Sequence, residues 1–178
     1  MNQIGKVAGI AIRTAIKGPM REVRAASARA DAGIDGDIKV SANRGITFID
    51  RRQWEQVTRE LQAELPWHTR RANVLVAGLT LGDLLGKRIR LGTVEVQINA
   101  ETKPCGLMDE LHPGLRAALV PECRGGVYGR VIRSGVFAIG DTVTIVAAEQ
   151  AVFTHPEHEP GARVIPGGAS SQNLQDPR

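Results

Sequence analysis

Aromatic side chains are scarce in this chain: three Phe, two Trp and one Tyr among 178 residues. Phe48, Phe137, Phe153, Trp54, Trp67 and Tyr128 offer few platforms on which nucleic-acid bases could stack. Binding of single strands without sequence preference normally relies on such stacking, so that class starts at a disadvantage. An excess of one charge is nearly absent as well. Lys plus Arg total 23 and Asp plus Glu 19, a net charge of +4, which permits anionic ligands without demanding nucleic acid. Two cysteines, Cys105 and Cys123, are too few for a disulfide framework or for a four-thiolate zinc site. No apolar run approaches the roughly 20 residues of a spanning helix. The stretch Met1-Asn2-Gln3-Ile4-Gly5-Lys6 lacks the apolar core of a signal peptide. A membrane-free, cytoplasmic setting is therefore expected. No repeat is visible, and neither a phosphate-binding P-loop nor a Gly-x-Gly-x-x-Gly fingerprint occurs.

What is present is enough to build a core: 42% of the residues are apolar. The length suits one domain. Composition shifts near residue 150. Pro156, Pro160, Pro166 and Pro177, with Gly161, Gly167, Gly168 and the polar Ser170-Ser171-Gln172-Asn173, read as a flexible tail over 151–178 after a globular unit over 1–150.

Within that unit, short β-rich segments alternate with glycine turns. Val7 to Ile12 reads as a first strand. Arg88 to Ala100 reads as a hairpin, with Ile89, Leu91, Val94, Val96 and Ile98 alternating about Gly92-Thr93. Val127–Arg133, Val136–Ile139 and Thr142–Val146 follow, separated by Ser134-Gly135 and Gly140-Asp141. This pattern suggests a barrel or sandwich. One helix is predicted over 51–65. Asp50 would cap it, Gln53 would complete a capping box, Trp54, Val57, Leu61 and Leu65 share a face, and Pro66 stops it. Shorter helical pieces are expected at Leu81–Leu85, closed by Gly86, and after Pro113.

Cys105 is the leading candidate for chemistry. It follows a strand in Thr102-Lys103-Pro104-Cys105-Gly106, where Gly106 adds no side chain to obstruct a ligand. Lys103 and a nearby helix N-terminus would favour the thiolate. The competing reading is a small buried apolar residue. Cys123, in Pro121-Glu122-Cys123-Arg124, reads as a bystander. Arginines in glycine-bearing loops form a second group: Arg44 before Gly45, Arg70-Arg71-Ala72-Asn73, Arg124-Gly125-Gly126, and Arg130. Guanidinium forks and glycine backbone N–H groups suit phosphate oxygens, although a lone Arg is usually a solvated charge. His155 and His158 make a poor metal site on a prolyl segment, and Asp35-Gly36-Asp37 reads as a turn.

Taken in order, these pieces resemble the MOSC domain, the domain named for the C-terminal part of molybdenum-cofactor sulfurase. The stretches that carry the resemblance are Gly33-Ile34-Asp35-Gly36-Asp37, Arg44 with Ile46-Thr47, Arg71-Ala72-Asn73-Val74 with Gly78, and Leu84-Leu85-Gly86-Lys87-Arg88. Pro104-Cys105, Gly126 to Arg130, Gly135 and Gly140-Asp141 complete the set. The resemblance implies a mainly β fold, a closed or nearly closed β-barrel of mixed strands with a few covering α-helices. It implies binding of molybdenum cofactor (molybdopterin), with Cys105 as either a carrier of sulfur or a ligand to molybdenum. Arg71 and Asn73 match its Arg-x-Asn motif on the pterin-phosphate surface. Arg44, Arg124 and Arg130 are added from local chemistry. No pyridoxal-binding domain, flavin module or iron–sulfur module accompanies the motifs. A sulfur donor or an electron-transfer protein is therefore the expected partner, beside a small-molecule substrate. The alternatives are a molybdenum-dependent oxidoreductase that reduces N-hydroxylated compounds with a separate electron donor, and a small basic barrel that binds nucleic acid without catalysis.

Overall fold

The computed structural model describes residues 4–38 and 41–147. Among the described residues eleven strands form two sheets. The first strand, β1 (Ile4–Arg13), pairs with three others along its ten residues. Its start lies antiparallel to β11 (Thr142–Val146), its middle to β6 (Val74–Ala77) and its end to β2 (Met20–Val23). The register slips between Val7 and Gly9. Gly9 lies under the Trp67 ring, where a Cβ would stand 3.0 Å from the indole, so the smallest residue marks the irregularity.

The sheet runs β11–β7–β8–β9–β5–β6–β1, with β2 beyond, and the β1–β11 pairing closes seven of its strands into a barrel. Here β5 is Ile46–Asp50, β7 Arg88–Leu91, β8 Val94–Glu101 and β9 Val127–Arg133. All described pairings in it are antiparallel except β5 with β6, which makes the barrel mixed. The parallel pair requires a crossover. It is supplied by helix α1 (Arg51–Glu60) and a 3-10 turn at Trp67–Arg70. A smaller sheet joins β10 (Gly135–Ala138), β3 (Ala25–Arg29) and β4 (Gly33–Ile34). The segment 136–139, expected to lie in the same sheet as its neighbours in sequence, thus leaves the barrel and pairs Val136 with Ser27.

The barrel interior is filled from every wall by Ile10, Phe48, Val74, Leu91, Val96, Ile98, Val131 and Val143, among others. The alternation in β7 is strict, with Ile89 and Leu91 buried and Arg88 and Arg90 exposed. A second apolar layer lies on the outside, where Trp54 and Val57 of α1 meet Ile49, Ala72 and Leu75. Met108 of α2 (Leu107–Leu111), Leu115 of α3 (Leu115–Ala118) and Leu119 belong to the same layer.

Helix α1 ends five residues earlier than expected. Gln62 takes a left-handed φ of 49°, its N–H bonding to Arg59 O while Ala63 N–H reaches Thr58 O. That is a Schellman closure, which stops the helix before Pro66 can. Leu61 and Leu65 still pack on the second layer. Asp50 caps Arg52 N–H at 2.9 Å, but Gln53 does not complete a capping box; its amide donates to Glu122 O at 2.7 Å instead. Helix α2, directly after Cys105, has no apolar periodicity to announce it. The tail drawn over 151–178, with its boundary, lies outside the described residues.

Candidate functional site

The strap that carries Cys105 leaves the barrel at the end of β8. Thr102, fully buried, donates its N–H to Gly126 O at 2.7 Å, so the strap departs anchored to the residue just before β9. Pro104 then turns the chain, and Cys105 is exposed with a free thiol. A Cβ built on the next residue, Gly106, would meet nothing within 4 Å, so the space beside that residue is open. The Cys105 carbonyl accepts Met108 N–H at 3.0 Å and starts α2. Cys105 is therefore a surface group and not a core residue.

Two arginines, Arg70 and Arg44, lie within electrostatic reach of Cys105. Arg70 is 5% exposed and forms no ion pair with a carboxylate among the described residues. Its Nε donates to Gly125 O at 2.8 Å and its Nη2 to Thr102 O at 3.0 Å, while Nη1 lies 3.8 Å from Met108 Sδ. Burial pulls its pKa down to about 10, the like charge of Arg44 adds to this, and Cys105 opposes it. Arg70 is still charged at neutral pH. Arg44, half-buried ahead of β5, lies with its guanidinium 5.2 Å from the centre of the Tyr128 ring. Its Nε is buried with no hydrogen-bond partner among the described residues. Burial lowers its pKa first, then Arg13, against Tyr128 and Cys105.

The other candidates go elsewhere. Arg71 takes a left-handed φ of 62° and turns its guanidinium to the β1–β2 loop, where it bonds Gly18 O and, at 3.2 Å, Ala15 O. It lines a cavity of about 300 Å³ with Lys17, Met20, His68 and Leu111. Burial and then Arg13 lower its pKa, opposed by Asp37. Asn73 is fully buried, and its amide makes four contacts. It accepts from Thr47 N–H at 3.1 Å and Arg13 Nη2 at 3.3 Å, and donates to Ala11 O at 3.2 Å and Asp37 Oδ2 at 3.1 Å. Arg124 is paired with Glu60 at 2.8 Å and Arg130 with Asp31 at 2.6 Å. Cys123 is partly buried at a φ of 57°, and burial followed by the charge of Glu101 pushes its thiol pKa up.

Arg70 thus meets the strap of Cys105 at Thr102 and Met108, and Arg44 lies within electrostatic reach of that cysteine, whereas Arg71 turns to the β1–β2 loop and Asn73 is buried between β1 and β5. Arg124 and Arg130 are engaged in ion pairs. The sequence places Arg70 in an arginine loop without a role of its own and gives none to Arg13 or Asp37. Arg70 stands next to Arg71 with no local mark to choose between them. Asp37, in what reads as a plain turn, holds Arg13 in a buried ion pair of 2.6 Å. Among the described residues no group of three or more His, Cys, Asp or Glu could hold a metal ion.

Comparison with known proteins agrees with this architecture. Three solved structures superpose over most of the chain. The YuaD protein from Bacillus subtilis matches with a TM-score of 0.68 and 18% identity, covering 82% of this chain and 97% of that one. YiiM from Escherichia coli gives 0.65 and 19%, covering 83% and 71%. YiiM from Geobacillus stearothermophilus gives 0.64 and 19%, covering 80% and 75%. No curated protein matches significantly. The family model described as the MOSC domain matches residues 35–144, from the Asp37 turn through Cys105 to the closing strand, and the chain belongs to that family.

Proposed function

We propose that this protein binds molybdenum cofactor at the barrel rim and that Cys105 supplies the protein ligand to molybdenum. The residues present suit that group. Molybdenum held by dithiolene sulfurs accepts a further soft ligand, and an exposed thiol with open space at the next residue is such a donor. The pterin phosphate needs cationic donors, and the buried Arg44 Nε is a donor without a partner among the described residues. The buried, unpartnered Arg44 Nε, on a cation within electrostatic reach of an exposed cysteine, is the observation that carries the reading.

In this arrangement Arg44 would hold the phosphate, and the buried charge of Arg70 would lower the cost of bringing an anion to the rim. Arg71 fixes the loop over residues 15–18 through its carbonyls. Asn73 and Asp37 keep Arg13 at the mouth. When bound, the cofactor supplies two-electron redox chemistry at molybdenum. Its electrons would come from a separate protein, in keeping with reduction of a small molecule such as an N-hydroxylated compound.

Sulfur carriage by Cys105 is the second reading, favoured by the thiol's exposure. A carrier must reach both donor and acceptor. Cys105 instead lies on a strap held at Thr102 and at Met108, which favours a fixed ligand. The test is molybdenum and sulfane-sulfur content of protein made in a host that synthesises the cofactor. Cys105→Ser should retain less molybdenum than the parent while Cys123→Ser keeps it, because a serine hydroxyl is a harder donor and is not ionised near neutral pH. Equal molybdenum in Cys105→Ser and the parent would refute ligation.

A further inference from the structure

The strap over 102–108 has a feature that the cofactor reading does not by itself require. Three contacts of one buried side chain meet the chain before Cys105, after it and opposite it. Arg70 Nη2 reaches Thr102 O, three residues before the thiol; Nη1 approaches Met108 Sδ, three residues after it. Nε reaches Gly125 O on the facing loop. That loop is itself held from outside, by Gln53 at Glu122 O and by the Arg124–Glu60 pair. Strap and loop approach closely here. A Cβ on Gly125 would collide with Thr102 O and stand 3.3 Å from Pro104 Cδ, so glycine is needed for the contact that Arg70 bridges.

We infer that Arg70 is the positioning residue of Cys105: by bonding Thr102 O and Gly125 O through one planar guanidinium, it fixes where the strap presents the thiol. The inference rests on reading Cys105 as the site thiol and deepens it. The chemistry selects Arg. A guanidinium donates along two fixed directions at once, whereas a lysine ammonium is a point charge on a flexible stem and cannot reproduce the fork. Both carbonyls are buried by the same packing, so an Arg70 variant leaves at least one without its donor.

The test follows the strap directly and needs no cofactor. A nitroxide label is attached to Cys105 in a Cys123→Ser background, and its spectrum is compared in the parent, Arg70→Met and Arg70→Lys. A reference label at Glu55→Cys on α1, in chains lacking both native thiols, reports the rest of the fold. The label at Cys105 should move roughly threefold or more faster in both Arg70 variants while the Glu55 label is unchanged. A parent-like spectrum at Cys105 in Arg70→Met, or full restoration by Arg70→Lys, would overturn the inference. If Arg70→Met fails to fold, Arg70→Lys decides alone: a mobile strap supports the bracket and a parent-like strap refutes it. Absence of molybdenum from the parent would refute the cofactor reading and leave this result standing, so the two failures are distinguishable.

Discussion

Replacing Asn73 with Ala separates a side chain that holds the barrel mouth together from one that touches a ligand. Asn73 sits where β1, β5 and β6 meet. Its backbone N–H donates to Thr47 O and its carbonyl accepts Ala11 N–H, while its side chain repeats the link to both strands. The amide also completes the Arg13–Asp37 pair. Ala keeps the backbone bonds and removes all four side-chain contacts. The two contacts to neutral backbone groups contribute about 1 kcal/mol each, and weakening a buried ion pair adds about 1–3 kcal/mol. The sum is about 3–5 kcal/mol, toward the upper tail of single substitutions. For a domain of this size that corresponds to a fall in Tm of about 10 °C or more. Urea unfolding at neutral pH should show the midpoint falling with an unchanged slope. A loss below about 1 kcal/mol, accompanied by loss of bound molybdenum, would refute the bracket and make Asn73 a ligand contact.

Gly106→Ala should do the opposite. Its backbone is helical at φ −55° and a Cβ meets nothing, so stability should hold within about 0.5 kcal/mol. The added methyl beside the thiol should still reduce cofactor retention, and unchanged molybdenum content would show that ligands do not approach from that side. Glu95 gives a pH test. Its side chain is 9% exposed and accepts from Arg90 at 2.7 Å and Arg133 at 3.3 Å. The Arg90 hydrogen bond holds its carboxyl below the usual range, against the effect of burial, with Arg133 adding to the lowering. The unfolded chain therefore binds this proton first. The contribution of Glu95 is complete above a pH of about 4.3 and is lost as pH falls through the lower folded value. The urea-midpoint difference between parent and Glu95→Gln should shrink on acidification below that point; a constant difference would contradict the assignment.

Alternation and glycine turns made the strands at 88–91, 94–101, 127–133 and 142–146 readable, because alternate apolar side chains of each enter the barrel core. Helix α1 was legible from its cap and apolar face. Its end was not, since a Schellman closure on Gln62 carries no glycine to mark it. The short strands β3 and β4 show little periodicity, and β10 changes sheet through long-range pairing that local pattern does not encode. At the site, Cys105 stood out by its Pro and Gly neighbours. The choice between Arg70 and Arg71 did not, because it depends on the left-handed turn at Arg71. That turn sends one guanidinium inward beneath the strap and the other to the β1–β2 loop.

X-ray absorption at the molybdenum edge addresses the central claim most directly. Protein purified from a cofactor-competent host should show one sulfur more in the first coordination sphere of molybdenum than the Cys105→Ser variant reconstituted with the same cofactor. Cys123→Ser should match the parent. Identical sulfur counts in the parent and Cys105→Ser would contradict ligation by Cys105.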